Sequence, residues 1–224
     1  MRRLLATIFT GWDSVFDVIP TVVIVAIIYW FSRRKKHKKL FGEDFKEVRK
    51  KARLNEIIRL LFVCYITGLA CMTLFPVYFW GAIINLDINY LFSSHYSSWH
   101  FSYIPEIWTF ITDRNLLPMK LWLKDFLGMA LNVVFFVPLG FALPFVWKKA
   151  SFLITALIGL AGTVFIELVV QPFISRDPTI DDIICNTLGA IFGYLLYLLM
   201  KKIFPRFTEK CKTTVLDANK KSLA

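Results

Sequence analysis

Five predominantly apolar runs, at 16–31, 57–80, 126–147, 152–171 and 183–200, leave this chain few ways to fold. Each is about as long as a helix needs to cross ~30 Å of hydrocarbon, where the backbone must satisfy its own hydrogen bonds. The expected fold is therefore an all-α, polytopic membrane helix bundle with about five transmembrane helices. At 57% hydrophobic and 17% aromatic residues, the composition excludes an ordinary soluble domain. The first run is the shortest and contains Pro20, so it is expected to tilt or to extend outward through 12–15. Arg2 and Arg3 precede an apolar patch that has no small-residue cleavage site, so removal as a signal peptide is not expected.

The net charge of +11 is distributed in a way that argues against nucleic acid as a partner. Lys and Arg crowd between the first two runs (Arg33 to Lys39, then Lys46 to Arg53), between the third and fourth (Lys148, Lys149) and after the fifth (Lys201, Lys202, Arg206, Lys210, Lys212). The alternate segments are poor in them, 81–120 holding only Arg114 and Lys120 and 172–182 only Arg176. By the positive-inside rule the N-terminus is outside and the C-terminus in the cytoplasm. Three segments follow from this reading: 1–56, a first transmembrane helix with a basic amphipathic piece; 57–200, four further helices with an external loop at 81–120; and 201–224, a basic cytoplasmic tail.

Phe41, Phe45, Val48, Ala52 and Ile57 recur at helical intervals under a charged face, the pattern of an interfacial helix resting on anionic headgroups. Trp12, Trp30, Trp80, Trp122 and Trp147 fall near span ends, as interfacial anchors do. Cys64, Cys71, Cys185 and Cys211 lack metal spacing and are expected to be free packing thiols. The long external segment carries His95 and His100 without a carboxylate or Cys at ligand spacing, so no metal and no cofactor is expected. Its length favours a lid or binding loop over a plain connection.

The polar residues that interrupt this apolar chain are the candidate site. Thr155, Gly159, Thr163, Glu167 and Gln171 repeat every four residues on the fourth run, so neighbours in the series share a slowly drifting helix face. On the fifth, Asp182, Asn186, Gly189 and Gly193 follow an i, i+4, i+7, i+11 pattern, and the Gly-x-x-x-Gly pair permits close helix approach. On the third, Asp125, Gly128 and Asn132 share a face, while Pro138 and Pro144 remove two backbone donors and are expected to bend the helix. Asp125, Asn132, Glu167, Gln171, Asp181, Asp182 and Asn186, with Arg176 on the intervening loop, can converge at the outer ends of three helices. Acids at membrane depth cost about 2.5–3.5 kcal/mol each on insertion scales, so they point to a site. The amides suit sugar hydroxyls, and the guanidinium of Arg176 suits a phosphate or carboxylate. The alternative is polar glue between helices, with Arg176 as charge compensation. No catalytic signature is present: there is no Gly-x-Ser-x-Gly, no His near the cluster and no Cys beside a base.

At these residues the chain resembles the VanZ-like family of bacterial membrane proteins. The matching pieces are Thr73-Leu-Phe-Pro76; Asp125 with Asn132, Pro138, Gly140 and Pro144; and Glu167, Gln171, Arg176, Ile180-Asp-Asp182, Asn186-Thr-Leu-Gly189 and Gly193-Tyr194. Two departures stand out: Thr179 occupies a place where relatives often carry another acid, and Ser102-Tyr-Ile-Pro-Glu106 replaces an Asn-Leu-Ile-Pro-Phe-like run. The resemblance implies a cell-envelope protein that lowers susceptibility to teicoplanin-type lipoglycopeptides, and it transfers no catalytic residue. The expected partners are membrane lipids together with a cell-wall precursor, a lipoglycopeptide or an envelope protein. Two other readings stay open. One is an intramembrane enzyme acting on a lipid-linked cell-wall or teichoic-acid precursor, with Glu167 or Asp182 as acid or base. The other is a membrane scaffold without a ligand.

Overall fold

The computed structural model describes residues 2–74, 119–170 and 179–223. Helix α1 (Arg2–Phe41) is continuous through the first apolar run, Pro20 and the whole basic run. At 1.5 Å per residue it is about 60 Å long, twice the ~30 Å of a bilayer's hydrocarbon core. It stops at Gly42, whose φ of +51° is the left-handed conformation that ends many helices. A short 3-10 turn (Gly42–Asp44), α2 (Phe45–Lys51) and a break at Ala52 then lead into α3 (Arg53–Leu74).

After α4 (Met119–Val146), a tight turn delivers the chain to Ser151, whose hydroxyl accepts from the Ile154 amide at 3.3 Å and caps α5 (Phe152–Phe165). The helix then widens into a π turn, Ile166–Val170. The last long helix is α6 (Ile180–Ile203), followed by α7 (Pro205–Lys212) and α8 (Val215–Leu223). No strand occurs among the described residues.

Helices α4 and α6 form the centre. Adding a methyl group at Gly189 would place it 2.2 Å from the Val133 carbonyl oxygen, at Gly193 2.1 Å from that of Val137, and at Gly140 1.8 Å from that of Ala190. The two backbones touch, which is the close approach the Gly-x-x-x-Gly spacing permits. Because both partner numbers rise together, α4 and α6 run in the same direction. Helix α5 runs antiparallel alongside α6, with Gly159 opposite the Ala190 methyl. Pro138 and Pro144 are both accommodated inside α4 without ending it.

Helices α1 and α3 run antiparallel to their neighbours. Arg33 meets Glu56, Gly68 lies near Val22, and Asn55 at the start of α3 meets Phe145 at the end of α4. The basic ends of these helices therefore gather on one side, and the starts of α4 and α6 lie on the other.

The outer faces are apolar. Ile28 is 60% exposed, Val134 61% and Leu153 64%, an arrangement suited to lipid and costly in water. Three described helices, Arg53–Thr73, Phe126–Val146 and Ile180–Ile203, are long and apolar enough to cross a membrane, and the apolar helix Phe152–Leu168 is shorter.

On the basic side the chain is more folded than its sequence suggested. The apolar stripe expected to rest on headgroups has a protein partner: Val48 and Ala52 are buried against Val215 and Ala218 of α8, with Phe41 alongside. Asn55, wholly buried, donates to the carbonyls of Phe145 (2.9 Å) and Cys211 (2.7 Å), so one amide serves orphan carbonyls at the ends of both α4 and α7. Arg59 donates to Asn55 Oδ1 and to the Val146 carbonyl, each at 2.7 Å. Phe145 and Tyr197 meet edge to face at 5.2 Å between ring centres, beside Cys211 and Tyr194. Lys148 pairs directly with Asp217. Burial pushes the Asp217 carboxyl up, but bonds from Lys148 and Thr214 prevail and hold it down at about 2.

The four cysteines are free thiols, three of them buried. Trp147 is partly exposed just past the end of α4, whereas Trp30 is partly exposed inside the continuous helix α1. The expected loop at 81–120 lies almost entirely outside the described residues, with His95, His100, Trp80 and Arg114.

Candidate functional site

The sequence predicts convergence at the ends of α4, α5 and α6 opposite the basic layer, and five of the eight candidate residues can be placed. Asn132 on α4 donates directly to an Asp182 carboxylate oxygen on α6. Glu167, in the π turn, accepts from the Thr179 backbone amide at 3.3 Å. Thr179 in turn is the N-cap of α6, its hydroxyl accepting from the Asp182 amide at 3.2 Å. One turn deeper, Asn186 donates to the Thr163 hydroxyl at 2.9 Å and ties α6 to α5. Asp181 is buried at the start of α6. Asp125 lies on α4, with its side chain outside the described ones, and Gln171 and Arg176 lie outside the described residues.

Two physical features make this more than a row of polar contacts. Glu167 is 2% exposed, in an apolar helix where a carboxylate is disfavoured. Its helix leaves regular α geometry at that residue, and π turns of this kind recur at functional sites. The carboxylates of Asp181 and Asp182 stand in the first turn of α6, where the helix dipole and unpaired amides favour negative charge. Thr155 and Thr163, both wholly buried, continue the Glu167 face toward the interior.

The Gly-x-x-x-Gly spacing signals a close helix approach on α6 without naming its partner, which is α4. Asp182 and Asn186 were expected to share a face, and the structure divides their partners, Asp182 turning to Asn132 on α4 and Asn186 to Thr163 on α5. Thr179 departs from the pattern of relatives, yet it joins Glu167 to Asp182. The signal available for it was the Thr-x-x-Asp spacing of a helix start. No three His, Cys, Asp or Glu side chains among the described residues gather as a metal site would require.

A helical bundle with apolar outer faces, its basic helix ends on one side and a buried acid and amide cluster on the other, is the architecture of a membrane protein. The VanZ/LLP1 family model matches residues 62–201, more than half of the chain, and the chain belongs to that family. No curated protein and no solved structure matches it. The match takes in every one of the eight candidate residues and stops short of Asn55, Glu56 and Arg59, which organise the basic layer.

Proposed function

We propose that the chain spans a bacterial plasma membrane five times, with its N-terminus outside, and that the cluster around Glu167 is an outward-facing site that binds an envelope ligand. Helix α1 and the pair of α5 and its π turn supply the two spans beyond the three long apolar helices. The charge asymmetry supports the orientation, since Arg33 to Arg53, Lys148, Lys149, Lys201 and Lys202 all lie on the side opposite the acids.

The observation that carries the binding reading is the near-complete burial of Glu167 beside the capped start of α6. Carboxylates and amides so arranged accept from sugar hydroxyls and ammonium groups, and Arg176 on the adjoining segment supplies the bidentate fork for a phosphate or carboxylate. Cell-wall precursors and lipoglycopeptides both present these groups. Occupation of the site would lower susceptibility to teicoplanin-type drugs by changing what the drug meets at the membrane surface. The same residues would serve an enzyme of lipid-linked precursors, with Glu167 or Asp182 exchanging the proton.

The role of Arg176 is tested by Arg176→Lys, which keeps the charge and loses the planar fork. The variant should reach the membrane at normal abundance and give at least about fivefold less protection against a teicoplanin-type drug, a loss of roughly 1 kcal/mol in binding. Full protection would reduce Arg176 to charge compensation. A cysteine introduced at Ser97 should react with an impermeant reagent from outside in the same cells. Labelling only from the cytoplasmic side would overturn the placement of the site.

A further inference from the structure

At the other end of the molecule, where α1 leaves the apolar layer, positive charge is crowded and partly buried, with few acids beside it among the described residues. Arg33 takes the Glu56 carboxylate, with Nη2 at 2.5 Å and Nε at 3.3 Å. Glu47 pairs with Lys51 at 2.8 Å. Arg59 is committed to Asn55 and the Val146 carbonyl. Arg49 on α2 has neither: its guanidinium carbon lies 4.0 Å from the centre of the Trp30 ring and 5.7 Å from that of Phe45. Its Nη2 is buried and donates to no acceptor among the described residues.

His37, 5% exposed, likewise has a buried Nδ1 with no hydrogen-bond partner among them; the nearest carboxylate oxygen, Glu56 Oε2, is 3.9 Å away. Burial lowers the pKa of both groups and Glu56 opposes the shift, while Arg33 reinforces it for each, joined by Arg34 at Arg49 and by Arg49 and Lys36 at His37. Among the described groups that act on Arg49 or His37, Arg33, Arg34, Lys36 and Arg49 are thus positive and Glu56 is the one acid.

A guanidinium with a buried, unbonded Nη2 among like charges is an unfavourable arrangement unless an anion completes it. Trp30 marks the depth, since indoles favour the headgroup level, the depth at which lipid phosphates lie. We propose that the junction of α1 with α2 binds the phosphate of an anionic phospholipid headgroup, gripped by Arg49 against Trp30 with His37 as a second polar contact. A surface that only attracted anions would need none of its donors buried or stacked. The inference uses the membrane reading of α1 and is independent of the Glu167 site.

The test uses full-length protein purified in neutral detergent, with binding of phosphatidylglycerol and phosphatidylcholine followed by native mass spectrometry. Phosphatidylglycerol should bind saturably and phosphatidylcholine should not. Arg49→Gln should weaken phosphatidylglycerol binding at least about fivefold, and Arg49→Lys about threefold, because an ammonium keeps the charge without the fork. Arg53→Gln, which removes one equal charge from the same basic region, should stay within about twofold of the native protein. Equal loss in Arg53→Gln would show general attraction and overturn the site, as would unchanged binding in Arg49→Gln. Inorganic phosphate competing at the same concentration as the lipid would overturn the headgroup assignment. Should Arg49→Gln fail to fold, the Lys variant alone decides, with native-like affinity counting against the proposal.

Discussion

Gly193→Ala is expected to cost about 3 kcal/mol or more, although it adds a single methyl group. Ordinary overpacking costs about 1–3 kcal/mol because side chains can rotate away. Here the obstacle is the Val137 carbonyl oxygen at 2.1 Å, with the Phe141 amide nitrogen at 2.8 Å, so the backbones of α4 and α6 must separate. Separation would also strain the bond from Asn132 to Asp182 at the far end of the same interface. For a chain of this size the loss corresponds to roughly 6–12 °C in melting temperature of the purified protein. Gly162→Ala is the matched control: it too lies within a helix, but a methyl group there meets nothing within 4 Å. Helix propensity alone should make that variant neutral or stabilised by up to about 1 kcal/mol. If the two alanine variants melted together, α4 and α6 would not be in backbone contact.

Asn55→Ala should be the most damaging single change outside the family-matched region, with a loss of about 3 kcal/mol. The side chain makes three hydrogen bonds, to the carbonyls of Phe145 and Cys211 and from Arg59 Nε. Each is worth about 1 kcal/mol net, and orphaned buried partners add to the cost. The loss should be local in its effects. Helices α7 and α8 are held by Asn55, by the ion pair of Lys148 with Asp217, and by Val215 and Ala218 against Val48 and Ala52. Limited proteolysis should therefore cut 205–223 much faster in the variant while the α4 and α6 core remains intact. Uniform loss of protection across the chain, or none in 205–223, would contradict the role assigned to Asn55.

The physical reasons why some of this was legible in the sequence and some was not are specific to each element. Hydropathy marks where helices must lie because lipid tolerates no other open backbone, so α3, α4 and α6 follow directly from the apolar runs. The glycine spacing reports helix contact for the same reason: a missing side chain on one face is useful only if another backbone fills the space. An apolar stripe, by contrast, does not say whether lipid or protein covers it. Phe41, Val48 and Ala52 therefore suggest a headgroup surface where the structure places α8. Asn55 and Glu56 look like solvated residues at a helix start until contacts with residues from 23 to 156 positions away are known. The π turn at Glu167 has no local sequence signature. It arises at the point where α5 meets the capped start of α6, a tertiary relation that no window of residues contains.

Whether the buried acids form a site or only hold helices together turns on Glu167→Gln. The amide keeps the size of the side chain and an oxygen that can accept from the Thr179 amide, and it removes the ionisable carboxyl. The measurement is protection against a teicoplanin-type drug per unit of protein in the membrane, with melting temperature recorded on the same purified variant. A binding site predicts normal abundance, a melting temperature equal to or above that of the native protein, and protection reduced at least about tenfold, as loss of ~1.4 kcal/mol of ligand binding would give. Protection that falls only in step with abundance, or that persists in full in the Gln variant, would contradict the account and leave the cluster as structural glue.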